Sequence, residues 1–201
     1  MSTLGAGRPR ADAVRNRASI LRAAREQMAV RGADVGMDDV AREAGVAVGT
    51  VYRHFPTKAD LLAAILDEQA SRMFQALDEA VARINAGSSA VVELALLAER
   101  MSQAAGRDRA VKAVLSRLGV EAPPEMSQRA YGGLELIVAA AHAEGALRPD
   151  VTASDLVILL SGTPSEDLPE PARRRWLTLM LRAITNDRGH AAMPDESQGR
   201  E

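Results

Sequence analysis

Residues 37 to 55 read Met37-Asp38-Asp39-Val40-Ala41-Arg42-Glu43-Ala44-Gly45-Val46-Ala47-Val48-Gly49-Thr50-Val51-Tyr52-Arg53-His54-Phe55, and Pro56 follows. Met37, Val40, Ala41 and Ala44 recur at i, i+3, i+4 and i+7, the spacing of one apolar helix face. Asp38 and Asp39 fall in the first turn of that helix, where the macrodipole favours negative charge. Gly45 ends it. After only Gly45-Val46-Ala47, helical propensity resumes at Val48 and halts at Pro56, whose ring also pushes Phe55 out of helical dihedrals. Two short helices therefore meet at a tight glycine turn.

Working outward, Ile20, Leu21, Ala24 and Met28 share one face of a helix over about 15 to 31, stopped by Gly32. The first dozen residues, with Gly5, Gly7 and Pro9, have no periodicity and are expected to form a flexible basic arm, 1–12. On the other side, Thr57 is a good N-cap for a helix from Lys58 to about Ile84, roughly 40 Å long at 1.5 Å per residue. That length suits a bridge into a second domain. Further amphipathic stretches are expected at about 89–104, 107–118, 124–145, 152–161 and 171–186, each bounded by glycine or proline, with a disordered tail over 188–201. The domain reading is thus 1–12 arm, 13–73 N-terminal domain with its motif at 36–55, and 74–187 C-terminal helical domain.

Composition agrees with an all-α fold. The 201 residues include 38 alanines and only five aromatics, and 47% are hydrophobic, enough for one or two packed domains. Cysteine is absent, which removes disulfides, thiolate catalysis and cysteine-bound zinc. No run approaches the length of a membrane helix, and MSTLGAGRPR lacks the apolar centre of a signal peptide, so a soluble, cytoplasmic protein with no membrane partner is expected. The net charge of −2 conceals an asymmetry. Residues 1 to 31 carry seven arginines (8, 10, 15, 17, 22, 25 and 31) against Asp12 and Glu26, the segregation expected of a segment facing a polyanion.

A short helix, a glycine turn and a second helix with outward side chains form the motif that places its second helix in the DNA major groove. Val40, Ala41, Val46 and Val51 can hold the pair together. Val48, Gly49, Thr50, Arg53 and His54 are left for the groove, with Tyr52, His54 and Lys58 in reach of phosphates. Arg15 and Arg17 are placed to grip the flanking backbone, and Arg8 and Arg10 to enter the minor groove. Nothing supports an enzyme: His54, His142 and His190 are scattered, and there is no HExxH, Cys/His cluster, Gly-rich phosphate loop or nucleophile elbow. Neither a metal nor a cofactor is expected.

The segments Ile20-Leu21-Arg22-Ala23-Ala24, Met37 through Val46 and Gly49 through Lys58 closely resemble the N-terminal DNA-binding domain of the tetracycline-repressor (TetR) family. The resemblance covers about a third of the chain. It implies three N-terminal helices on DNA, a long fourth helix, a helical ligand-binding domain and dimerisation through the last two helices. Phosphate-contact positions carry over to Tyr52, His54 and Lys58, and groove-facing positions to Val48, Gly49 and Thr50. Two departures are Gly36 and Ala47, where the family usually has a Ser or Thr cap; Ala is a poor cap, so the recognition helix is expected to fray at its start until DNA orders it.

The resemblance further implies a homodimer on a near-palindromic duplex operator, released by a small apolar or amphipathic effector. The pocket lining expected over 58–145 is Met73, Phe74, Leu77, Leu97, Met101, Leu115, Leu118, Tyr131 and Leu134, with Glu135 and His142 as polar anchors. The dimer seam is expected from Leu156, Val157, Leu160, Trp176, Leu177, Met180 and Ile184. The rival reading is a DNA-binding regulator without an effector or controlled by a partner protein; activation is an alternative to repression.

Overall fold

A computed structural model describes residues 7–117, 119, 123–164, 168–187 and 189, without the side chains of 7–10, 33, 104–110, 112 and 113. The elements are α1 (Gly7–Arg31), a 3-10 turn (Gly32–Asp34), α2 (Met37–Ala44), α3 (Val48–His54), α4 (Lys58–Asn85), α5 (Ala90–Arg117), α6 (Pro124–Ala143), α7 (Ala153–Ser161) and α8 (Glu170–Ile184). Among the described residues there is no strand, and a single antiparallel bridge joins Leu147 to Thr185. The fold is all-α.

Two compact units form. The first comprises Met1–Gln69 and Arg107–Glu121, the second Ala70–Gly106 and Ala122–Glu201, so α4 and α5 each contribute to both. In the first, Ile20, Leu21, Ala24 and Met28 of α1 bury against Val40 and Ala41 of α2, Val51 of α3 and Leu61, Leu62 and Ile65 of α4. Val111, Val114 and Leu115 from the end of α5 complete that core. Each fully buried aliphatic side chain here contributes roughly 1.5–3 kcal/mol relative to exposure. Across the unit, Arg25 of α1 makes a two-pronged pair with Glu68 of α4, at 2.9 and 3.3 Å.

In the second unit, Leu77 and Ala80, Val91 and Leu94, Ile137 and Ala141, Leu156 and Leu160, and Met180 and Ile184 meet from α4, α5, α6, α7 and α8 in turn. Several of its polar groups are satisfied by residues far away in the sequence, although the buried Ser102 hydroxyl has no hydrogen-bond partner among the described residues. Glu144, just past α6, accepts the Ala90 amide at 2.7 Å and the Ser89 hydroxyl at 3.0 Å, capping α5 with a carboxylate from elsewhere in the chain. Glu93 is buried, and its carboxylate pairs with Arg83 Nε at 2.9 Å, the condition for burying a charge. Asn186 donates to the Gly145 carbonyl at 2.8 Å, fastening the end of α8 to the turn after α6.

Two boundaries differ from the sequence expectation. Residues 7–12 are helical and belong to α1; Pro9 lies in the first turn, where its missing N–H has no partner to lose. The stretches 89–104 and 107–118 are one helix, α5. Gly106 costs about 1 kcal/mol inside a helix, which flanking alanines and the burial of Val111, Val114 and Leu115 outweigh. The expected tail, apart from Gly189, lies outside the described residues, as do residues 1–6 of the arm.

Candidate nucleic-acid interface

The turn between α2 and α3 is built by its hydrogen bonds. Gly45 takes the left-handed conformation (φ 68°, ψ 30°), which lets the Val46 amide reach the Ala41 carbonyl (3.1 Å) and the Gly45 amide reach that of Arg42 (3.3 Å). α2 starts on Gly36, which has no side chain to cap with. The Asp39 carboxylate instead receives the Gly36 amide at 3.3 Å and the guanidinium groups of Arg31 and Arg42 at 2.9 Å each. The Gly36 amide foremost, then Arg31, holds the Asp39 carboxyl below the ordinary carboxylate range.

α3 is anchored by Val51, fully buried, and by Phe55 one turn later, 2% exposed. That orientation fixes its other faces. Val48 is 39% and Tyr52 47% exposed, and Gly49 and Arg53 are exposed beside them, so 48, 49, 52 and 53 form an outward stripe on adjacent turns. Thr50 and His54 are half-buried on its flank. Nothing stands within 4 Å of the space a Gly49 Cβ would take, so the backbone there is open to close approach. Arg53 lies back along the helix, donating to the Gly49 carbonyl at 3.1 Å. Between Glu43 and Asp60 the sequence holds no carboxylate. Ala47, extended at φ −66° and ψ 143°, supplies no side-chain cap.

The flanking cations have partners of their own. Arg17 sets its guanidinium 5.4 Å from the centre of the Phe55 ring, tying α1 to the end of α3, and Arg15 pairs with Asp12. Sequence reasoning did not foresee the Arg17–Phe55 contact, because no spacing rule joins residues that far apart. Thr57 opens α4 with a reciprocal capping box: its amide donates to Asp60 at 2.9 Å and its hydroxyl accepts the Asp60 amide at 3.1 Å. Lys58, half-buried, begins that helix. Arg8 and Arg10 lie in the helical backbone of α1, and their side chains fall outside the described residues.

The residues expected to line a pocket fall in several places. Leu115 sits in the core of the first unit, while Leu97 and Leu134 are buried in the core of the second, with Met73 and Met101 packed against it. Glu135 is exposed on α6. His142 accompanies the turn after α6, its Nε2 lying 3.2 Å from the Arg148 carbonyl, and Tyr131 Oη lies 3.3 Å from Ser154 Oγ. Leu118 lies outside the described residues. An open cleft of about 290 Å³ does run between α4 and α6, and of the expected residues it is lined by Phe74 and Leu77, together with Asp78, Val81, Ala82, Asn85, Arg129, Gly133 and Leu136.

The residues expected to form a dimer seam are distributed between the core and the surface of the second unit. Leu156, Leu160, Met180 and Ile184 close the core of their own chain, and Trp176 and Leu177 pack against it. An amphipathic stripe shows that a face is buried, not which chain buries it. Of the seven, Val157 alone is exposed, and the other apolar groups presented by α7 and α8 are Ile158, 71% exposed, and Leu179, 49% exposed.

Comparison with known proteins matches residues 20–65 to the model of bacterial regulatory proteins, tetR family. An HTH-type transcriptional regulator from Staphylococcus aureus is 38% identical over 76 residues, 36% of this chain, and the match covers 39% of that relative's length. A TetR transcription regulatory protein from Mycobacterium vanbaalenii is 29% identical over 88% of this chain and 99% of its own, with a TM-score of 0.69. A TetR transcriptional regulator from Streptomyces coelicolor is 26% identical over 85% and 99%, with a TM-score of 0.63. A third solved structure, 28% identical over 85% and 97% with a TM-score of 0.64, is described as a molecular basis for control of antibiotic production by bacterial hormones. Together with the glycine-turned α2–α3 pair and the long α4 that follows it, these likenesses identify residues 20–65 as an N-terminal domain of the TetR-family type.

Proposed function

We propose that this chain is a sequence-specific duplex-DNA-binding regulator that acts as a homodimeric repressor, released from a near-palindromic operator by a small apolar or amphipathic molecule. The observation that carries the DNA-binding part is the outward stripe of α3: Val48, Gly49, Tyr52 and Arg53 lie exposed, in a stretch of sequence with no carboxylate between Glu43 and Asp60. Val48 can meet a thymine methyl, Thr50 a base edge, and Tyr52, His54 and Lys58 phosphates. Arg17, over the Phe55 ring, and Arg15, two residues earlier on α1, are the proposed contacts to the flanking phosphates.

A single domain of this size makes few base contacts, so two copies reading half-sites about 34–36 Å apart, or a multiple, give the needed affinity. Val157 and Ile158 of α7 and Leu179 of α8 are the apolar groups available for that pairing. Release by a ligand is supported by the α4–α6 cleft and by the bacterial-hormone setting of the 28%-identical relative. A ligand favouring one conformation of the second unit shifts operator affinity by the difference in its affinity for the two states.

Selection of bound fragments from random duplexes tests the reading, with an inverted repeat as the expected product. Lys58→Ala should then weaken binding on every sequence and lower the salt slope by about one. Purified protein that ignores duplex DNA at low ionic strength refutes the proposal.

A further inference from the structure

The cleft between α4 and α6 already holds a cation, and the cation is the chain's own. Phe74 and Asp78 stand four residues apart on α4, so an aromatic face and a carboxylate open to the same side. From α6, Arg129 sets its guanidinium carbon 4.4 Å from the centre of the Phe74 ring and a nitrogen 3.0 Å from an Asp78 oxygen. Behind them the cleft is apolar, walled by Leu77, Val81 and Leu136, the last 59% exposed. Gly133 keeps the floor open: a Cβ there would lie 3.3 Å from Leu77.

We infer that this cleft binds a small organic cation with an apolar body. The positive group takes the place of the Arg129 guanidinium between Phe74 and Asp78, and the body lies along Leu77, Val81 and Leu136. Both groups that hold the guanidinium attract positive charge, the ring through its negative face and the carboxylate directly. Glu79, on the same rim, is engaged by Arg83 and Arg100, which leaves Asp78 as the carboxylate turned to the newcomer. An anion would gain Arg129 but would face both Asp78 and the ring's negative face. The displaced Arg129 loses little, because its side chain is already 59% exposed and such pairs hold by a factor of about five or less in water.

Binding itself needs only the cleft; any consequence for DNA rests on the ligand-released reading above. The test is calorimetric titration of the full chain without DNA, using benzyltrimethylammonium, with phenylacetate as the anionic comparison at matched ionic strength. Asp78→Asn and Phe74→Leu should each weaken the cation about threefold. Arg129→Gln should tighten it about fivefold, because the internal competitor is gone. Circular dichroism melts of the three variants check that each is folded.

Equal affinity in Arg129→Gln and the unaltered chain overturns the inference. So does phenylacetate binding more tightly than the cation, or no cation binding to either protein at millimolar concentration. Operator affinity measured separately divides the two claims: a bound cation that leaves it unchanged keeps the site and removes this cation as the releasing ligand.

Discussion

Ala47 leaves the recognition helix without a cap, and the cost can be removed by one atom. α3 has only seven residues, and its N-cap residue, Ala47, is extended at φ −66° and ψ 143°, the backbone that a capping side chain requires. Its carbonyl already accepts the Thr50 amide at 2.8 Å and the Val51 amide at 3.4 Å. The Oγ of a serine placed there would accept the Gly49 amide, one of the donors at the start of a helix with no partner inside it, or share the Thr50 amide. Ala47→Ser should therefore stabilise α3 by about 1 kcal/mol, roughly a fivefold shift toward its ordered form. Hydrogen exchange of the Val51 and Tyr52 amides reads that shift directly as about fivefold greater protection. If DNA orders a frayed helix start, operator affinity should rise by up to the same factor. Ala47→Asp separates the effects: the carboxylate caps equally well, but it adds negative charge beside the phosphates and should weaken binding. Unchanged protection in both variants would show that α3 is already ordered from Val48, and the fraying argument would be wrong.

Three further outcomes follow from the geometry. Gly45→Ala should cost about 1–2 kcal/mol in urea unfolding, since φ 68° is strained for alanine while the space around its Cβ is open; no loss would mean the turn relaxes at once. Because the Asp39 carboxyl is depressed in the folded chain, its contribution is complete above the ordinary carboxylate range and is lost as pH falls through the folded value. Thermal melts between about pH 5 and pH 3 should thus depend less steeply on pH in Asp39→Asn than in the unaltered chain. Gly132→Ala should stabilise α6 by about 1 kcal/mol, because nothing lies within 4 Å of the added methyl; a lower denaturation midpoint would contradict that.

What could be read in the sequence was what backbone chemistry enforces locally. Gly32, Gly45 and Pro56 sit where a helix stops or a left-handed turn is needed, and α2 and α3 lie between them as the residues predict. Gly106 looked like the same signal and was not, since a glycine inside a helix imposes a modest penalty that burial can exceed. The long-range partners were illegible for a different reason. Arg17 on Phe55, Arg25 with Glu68, and Glu144 at the start of α5 join residues whose separation follows no period. The same gap limits any reading of an interface: periodicity marks Leu156, Leu160, Met180 and Ile184 as buried, and in the folded chain they lie in its own core.

The arginine excess before Gly32 has to be discounted on the same grounds. Arg15 pairs with Asp12, Arg22 with Glu26, Arg25 with Glu68 and Arg31 with Asp39, while Arg17 lies over Phe55. These attachments are unequal. The Arg22–Glu26 pair is exposed on both sides and worth at most about 1 kcal/mol, so a phosphate can replace the carboxylate at little cost. Arg25 is different: its side chain is 15% exposed and grips both oxygens of Glu68, so drawing it toward DNA would uncouple α1 from α4. A count of positive residues therefore overstates the number of phosphates this segment can neutralise. The salt dependence of binding should report the exchangeable arginines together with Lys58, and Arg25 should not be among them.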